Sequence, residues 1–415
     1  MTRLATARRD VLGGALAAAF LTAACQPQDN AQATPAPTPP TGPAPEPTPD
    51  AAKFCRAASD FGAGLLAAIM ARAPTESALI SPLNIAAALA MLGQGAKGAT
   101  ATNLADGLKL TAYGLTLPSA APAFANLRAR LVSSTAAEIE LASGLWVDTH
   151  VHLDPAFANT EASQFGAQIA NVDMGSPTAV QAVNQFVSDA THGKIPQILS
   201  SLSPADVLVL AAALYFKGGW LNPFTAADTK DAPFTRADGT PVTTPLMTQG
   251  GSFAYRETDA YQAVALPYAD ERFSMQFALL KPGAPATAWA EALQPVGGER
   301  QGTVFIPRLK LPWSGDLKPL LQGLGFTTAL SSAADYTGAL PGGASVGQVI
   351  HKTLLTVDEQ GAEAVAATAI AMTGAAAPSR NPPPPFVFRA DRPFSLVLRE
   401  KFSGAPLFMA YVATP

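Results

Sequence analysis

Three groups of residues in this 415-residue chain have types and spacings that could do chemistry. Gly343-Ala344-Ser345-Val346-Gly347 fits G-x-S-x-G, the pattern that lifts a hydrolase serine onto a sharp strand-to-helix turn. Here a strand-like run, Val346 to Val357, follows in place of a helix, and the only later histidine, His351, lies just six residues on. Ser345 is therefore read as structural, and a surface hydrolase is the most distant of the functional readings. No serine is followed by lysine at the third position, so the S-x-x-K acyl-enzyme pattern is absent. His150 and His152 are placed on one strand face and would make half of a metal site. No carboxylate or cysteine completes it at a recognisable spacing, and both are read as surface histidines. Two cysteines, Cys25 and Cys55, exclude a disulfide scaffold and any Cys-rich zinc or iron-sulfur site. Neither metal nor cofactor is expected, and no glycine loop is suited to cradle phosphate.

The third group is the most informative. Asp358-Glu359-Gln360-Gly361-Ala362-Glu363-Ala364-Val365-Ala366-Ala367-Thr368-Ala369-Ile370-Ala371-Met372-Thr373 runs into a stretch, Ala364 to Ser379, without one charge, and ends at Pro382 to Pro385. Read with a period of two, Ala362, Ala364, Ala366, Thr368, Ile370 and Met372 form one face, and Glu363, Val365, Ala367, Ala369 and Ala371 the other. Small uncharged residues on both faces suit a segment that must slide between two existing strands without steric or desolvation cost. Intrinsic propensity alone would make the same residues an alanine-rich helix or a low-complexity linker.

Several elements must position these groups. Apolar residues recur at helical spacing through Phe54 to Ala71 and through Ser81 to Leu92, where Ser81 can cap and Pro82 occupies the first turn. Ala179 to Ala190 shows the same period and stops at His192-Gly193-Lys194. Runs with β character follow at Val207 to Phe216, Ala263 to Leu266, Phe273 to Leu280, Thr303 to Ile306, Phe394 to Leu398 and Leu407 to Val412. Helices dominate the first half and strands the second, which predicts an α+β domain with large sheets, not a doubly wound α/β fold. No internal repeat is seen.

The N-terminus is of another kind. Residues 1–24 combine a basic start with an apolar run, Val11 to Ala24, too short to span a bilayer, and read as an export signal. Arg8-Arg9 before Asp10, Val11 and Leu12 resembles a twin-arginine motif, and paired arginines also occur in ordinary leaders. Leu21-Thr22-Ala23-Ala24-Cys25 resembles a bacterial lipobox, with Thr22 where an aliphatic residue is usual, so Cys25 is the expected lipidation site and Cys55 is left unpaired. Gln26 after Cys25 points to the outer membrane by resemblance to lipoprotein sorting. Residues 25–51 read as a tether: nine of the twenty-five residues from Gln26 to Asp50 are proline, giving a semi-rigid spacer with no packed core. No second span of 18 apolar residues is read along the chain. The protein is thus expected to be exported and membrane-anchored, facing the periplasm or the cell surface, or otherwise secreted. Of the net charge of −4, the leader, three arginines against one aspartate, carries +2, so the mature chain holds −6. That excludes nucleic-acid binding by phosphate neutralisation.

Residues 52–415 resemble the serpins. Leu79-Ile80-Ser81-Pro82-Leu83-Asn84-Ile85-Ala86-Ala87-Ala88-Leu89-Ala90-Met91-Leu92 is similar to the helix B signature of that family. Val183-Asn184-Gln185-Phe186-Val187, Thr191-His192-Gly193-Lys194-Ile195-Pro196, Leu214-Tyr215-Phe216-Lys217-Gly218-Gly219-Trp220 and Pro223-Phe224 resemble its helix F exit and strand 3A. His351-Lys352, Asp358 to Ala364, Ala390-Asp391-Arg392-Pro393-Phe394 and Leu407-Phe408-Met409-Ala410 complete the set in order.

The resemblance implies helices packed around three β-sheets, with a large central sheet A and an exposed reactive loop at about residues 359–386. It implies a monomeric suicide-substrate inhibitor of a serine protease and not an enzyme. The protease forms an acyl-enzyme with the loop, and the cut loop then inserts into sheet A. The runner-up is a non-inhibitory binding or chaperone protein on the same fold. From Ala362 to Ala375 is fourteen residues, about 45 Å when extended at roughly 3.3 Å each. Their insertion would release on the order of 10 kcal/mol, so the uninserted form must be kinetically trapped.

By the same resemblance Glu359, Gly361, Ala362, Ala364, Val365, Ala366 and Ala367 form the hinge. Arg308 and Glu359 match an ion pair at the top of sheet A beside Trp220, and Ser81 and His351 lie in the shutter beneath. Serpins usually carry an asparagine where this chain has Ala212, so Asn84 is expected to give His351 its missing amide. Seventeen residues counted from Glu359 put the scissile bond at Ala375-Ala376, which suits an elastase-like or subtilisin-like protease. If the extra loop residues precede the cut, the bond is Arg380-Asn381 and the target trypsin-like.

Overall fold

The computed structural model describes residues 44–203, 206–362 and 383–415. Its helices are α1 (Pro49–Arg72), α2 (Pro82–Gly93), α3 (Gly98–Gly107), α4 (Leu117–Val132), α5 (Pro155–Phe165), α6 (Pro177–Ala190), α7 (Ala288–Ala292) and α8 (Lys318–Gly323). Its strands are β1 (Ala78–Ile80), β2 (Ala137–Asp148), β3 (Gln168–Val172), β4 (Leu208–Gly219), β5 (Lys230–Thr235), β6 (Pro241–Glu257), β7 (Tyr261–Pro267) and β8 (Phe273–Leu280). They continue with β9 (Glu299–Pro307), β10 (Leu309–Asp316), β11 (Gln348–Val357), β12 (Gly361–Ala362), β13 (Phe386–Arg389), β14 (Phe394–Glu400) and β15 (Pro406–Val412). The fold is α+β, as its sequence predicts.

One mixed sheet runs β10-β11-β4-β2-β3, with the short β12 added beside β4. Both of its faces are covered. One packs on α2 and the main core; the other packs on α6 through Trp146, Val183, Val187, Val209, Ala211 and Ile350. That double burial is why β4 reads as a continuous apolar run without alternation. The remaining described strands join a second sheet in the order β1-β15-β14-β8-β7-β6-β9-β13, with β5 on β6. Three sheets are implied by the family resemblance. By hydrogen bonding two of them are continuous, because the 17-residue β6 pairs with β5 over Pro241–Leu246, with β9 over Leu246–Ala254 and with β7 over Ala254–Glu257.

The structure corrects several local expectations. Helix α1 starts at Pro49, inside the stretch read as tether, because the Thr48 side chain caps it by accepting from Ala51 N at 3.2 Å. The residues before it are bound to α4: Arg130 Nη1 donates to Pro45 O (2.8 Å) and Asn126 Nδ2 to Glu46 O (3.2 Å). Helix α1 is also long and apolar enough to cross a bilayer, which the sequence reading did not register. Phe54, Phe61, Leu65 and Leu66 bury it in the core instead. Ser81 sits at the N-cap of α2, but its side chain makes no cap bond, since its hydroxyl is buried away from the helix amides and unpartnered. His150 and His152 lie in the turn after β2, not on a strand. There His150 Nδ1 meets Asp148 Oδ1 at 2.6 Å. Ser345 lies in a loop that enters β11, without the helix a nucleophile elbow needs.

Candidate functional site: the opening at the top of the mixed sheet

Strands β11 and β4 run parallel and pair from Gln348↔Val209 to Thr353↔Leu214. Above that the two part, although β11 continues beside β10 to Val357 and β4 beside β2 to Gly218. The short β12 occupies the opening. After β11 the chain reverses within four residues: Asp358 N donates to Gly361 O (2.9 Å), while the Asp358 carboxylate accepts from the amides of Gln360 (2.8 Å) and Gly361 (3.2 Å). Gly361 and Ala362 then pair antiparallel with Gly219 and Gly218. Only glycine fits the first position. Its φ is +149°, and a Cβ there would stand 2.1 Å from Gly218 O.

The turn is fastened from β4 and the segment after it. Trp220 N donates to Gln360 O (2.8 Å), Phe224 N to Glu359 O (2.9 Å), and the Trp220 indole Nε1 to Asp358 O (3.0 Å). Trp220 also stacks on Tyr268 at 4.6 Å between ring centroids. Arg308 and Glu359 meet at 2.6 Å through Nη2 and Oε1, with Nε adding contacts of 2.9 and 3.0 Å, and Thr229 Oγ1 donates to Oε1 at 2.6 Å. Burial pushes the Glu359 carboxyl up, but the bonds from Arg308 and Thr229 outweigh it and hold the group below its ordinary range.

Beneath the opening lies a second polar cluster, set in apolar surroundings. His351 is fully buried; its Nδ1 contacts Ala212 O at 2.8 Å and its Nε2 accepts from Ser81 N at 3.0 Å. The proton is therefore assigned to Nδ1. Burial is the larger cause that lowers the imidazole pKa to about 4, opposed by the Ala212 carbonyl. Asn84 does not serve His351. Its Nδ2 donates to Ala142 O (3.0 Å) and Ala213 O (2.7 Å), and its Oδ1 accepts from Ser143 Oγ (2.9 Å), so it ties α2 to β2 and β4. The expected amide is replaced by the main-chain carbonyl of Ala212, the residue directly opposite His351 in the register. A main-chain acceptor carries no signature in residue type, which is why sequence reasoning missed it. Thr229 and Tyr268 were missed as well, being single residues joined to the site only by the fold.

Of the residues assigned to the loop, Glu359, Gly361 and Ala362 are brought together. Ala364, Val365, Ala366, Ala367, both scissile pairs Ala375-Ala376 and Arg380-Asn381, and the lipidation residue Cys25 lie outside the described residues. Cys55 is buried in α1, and burial raises its thiol to about 12.

Residues 56–415 match the family model described as Serpin (serine protease inhibitor). A serpin-like protein of Thermococcus kodakarensis is 31% identical over 356 residues, covering 82% of this chain and 81% of that protein. Alpha-1-antitrypsin 1-1 of Mus musculus is 29% identical, covering 86% and 87%. Among solved structures, the thermophilic serpin tengpin in its native state has a TM-score of 0.78 at 22% identity over 90% of this chain and 97% of that one, a likeness of fold.

Proposed function

This chain belongs to the serpin family, and from that premise we propose that it inhibits a serine protease as a suicide substrate, by loop cleavage, acyl-enzyme trapping and insertion of the cut loop between β4 and β11. One observation carries the reading: the first two residues of the insertion path, Gly361 and Ala362, already pair with β4 in the opening above Thr353. A strand that has started at the top meets unpaired edges down to Thr353 and Leu214; below that it must displace the β4–β11 pairing and form ladder hydrogen bonds to both strands in its place. The Arg308–Glu359 pair and the Trp220 contacts restrain the turn until the loop is cut. The protein is consumed in the reaction and does not turn over.

The target is proposed to be elastase-like or subtilisin-like, with cleavage at Ala375-Ala376, since alanine suits small apolar pockets. Mixing the protein with subtilisin or elastase tests this: an SDS-resistant complex is expected, together with a released peptide beginning at Ala376 by mass spectrometry. Nicking without a complex would favour the non-inhibitory reading, and a fragment beginning at Asn381 would move the cut to Arg380 and make the target trypsin-like. Export and anchoring through a lipid on Cys25 are proposed from the leader sequence. Palmitate labelling of the cell-made protein, lost in Cys25→Ser, would support the anchor.

A further inference from the structure

The segment that leaves α6, Thr191 to Leu202, crosses the mixed sheet at the fork where β4 and β11 part. Pairing between those strands ends at Thr353↔Leu214. Alternation puts Tyr215, the next residue of β4, and Lys352, the last but one paired residue of β11, on the α6 side with Val209, Ala211 and Ile350. The segment is fixed on both sides of the fork. Towards β2 and β4, His192 Nε2 meets Glu138 Oε1 at 3.1 Å and the imidazole lies 4.7 Å from the Tyr215 ring. Towards β11, Lys352 Nζ bonds Gln197 O, and Ile195, Ile198 and Leu199 pack in one cluster with Val209, Ala211 and Ile350. Asn184 of α6 ties the middle, its Oδ1 accepting from Ile198 N (2.7 Å) and Leu199 N (2.8 Å). Strain sits at the His192 end. There φ is +50° at His192 and +73° at Gly193, a left-handed backbone that is uncommon for a histidine and persists only where the surroundings hold it.

We propose that this segment is a proton-controlled stop at the fork: protonated His192 holds it down on β2 and β4 through the Glu138 carboxylate, and neutral His192 loosens it. The inference rests on the loop insertion proposed above. A strand entering between β4 and β11 widens their separation by one spacing, about 4.8 Å. A segment fixed on both sides must then release one side or break its own turn, where Gly193 N bonds Ser188 O (2.8 Å) and Lys194 N bonds Thr191 O (2.9 Å). The charges facing His192 are Glu138 and Glu140 of β2 and Lys217 of β4, which stands 4.0 Å from Glu138. Arg128 of α4 faces Glu140, Asp189 of α6 is held by Gln185 Nε2 at 2.7 Å, and Lys194 follows on the segment itself. Imidazoles change charge between about pH 5 and 8. The hold is therefore strong at the acid end of that range and weak at the other.

Two measurements on the full chain, each at about pH 5.5 and about pH 8, test this. The first needs no protease: hydrogen exchange at the amides of Ile195, Ile198 and Leu199, corrected for intrinsic rates. Protection in the parent is expected to be about threefold higher at the acid pH, the size fitting a half-exposed ion pair, and equal at both in His192→Asn and Glu138→Gln. Asparagine tolerates the left-handed backbone, so melting of His192→Asn at the higher pH should match the parent. His351 stays neutral in the fold down to about 4 and adds nothing in this range. The second is the rate of complex formation with subtilisin, taken as the ratio of His192→Asn to parent so that the protease's own pH dependence cancels. That ratio should be about three at the acid pH and about one at the other. Protection in the parent that does not change with pH, or that changes equally in the variants, overturns the stop, and so does a rate ratio that is the same at both. The pH-dependent protection without any complex supports the stop and removes only the inhibitory reading.

Discussion

At the scale of single residues, the two polar clusters restrain the sheet by different chemistry. Arg308 is half-exposed whereas the Glu359 carboxylate is nearly covered, so removing the arginine leaves a shielded anion bonded by Thr229 and its own backbone amide without a cation. Arg308→Ala is expected to cost about 1–2 kcal/mol, discounted for solvent on the arginine side, and to speed spontaneous conversion of the intact protein to a non-inhibitory form. Native gels after incubation at 37 °C would show it, and an unchanged conversion rate would remove the pair from the restraint. His351 acts through protonation. An unfolded imidazole takes its proton near 6.5, whereas the buried one stays neutral down to about 4. The unfolded state therefore binds more protons in that window. Stability present above 6.5 should fall as pH drops toward 4 and then level off, by on the order of 3 kcal/mol in all. Melting curves across that range check it, and His351→Gln should flatten them.

At the scale of elements, the behaviour of the opening follows from where pairing stops. Strands β4 and β11 separate after Thr353↔Leu214, and the turn 358–361 feeds β12 into the opening with no room for a side chain at Gly361. Gly361→Ala is expected to expel β12 from β4 at a cost of about 1–3 kcal/mol of backbone strain. More inhibitor would then be consumed per protease inactivated, as titration of subtilisin activity would show. Ala364→Arg would place a charge on the insertion path, which costs far more than a methyl group to desolvate. That variant should be cleaved as an ordinary substrate, leaving no SDS-resistant complex.

At the scale of the whole molecule, the proposed mechanism places the free energy of inhibition in a sheet that gains a strand only after cleavage. If the loop inserts, the nicked protein should melt about 13 °C above the intact one, given an added strand worth on the order of 10 kcal/mol. Calorimetry of the protein before and after subtilisin treatment measures the difference, and equal melting temperatures would remove the driving force from the proposed mechanism.

The sequence by itself determined the α+β class, most of the long elements and the family, because periodic burial and ordered motifs are written in residue types that survive without coordinates. It placed Phe273 to Leu280 as a strand with the bounds that the structure has. It also paired Arg308 with Glu359 across 51 positions through the family pattern. What only the tertiary structure decided is who bonds whom where the partner is main chain or distant. Ala212 serves His351 through its carbonyl, Asn84 binds two strands instead, and Thr229 completes the Glu359 site. The tether hands over to α1 at Thr48, and two sheets fuse through β6. Such facts depend on register and approach in three dimensions, and an alanine in a sequence carries no mark of where its carbonyl will point.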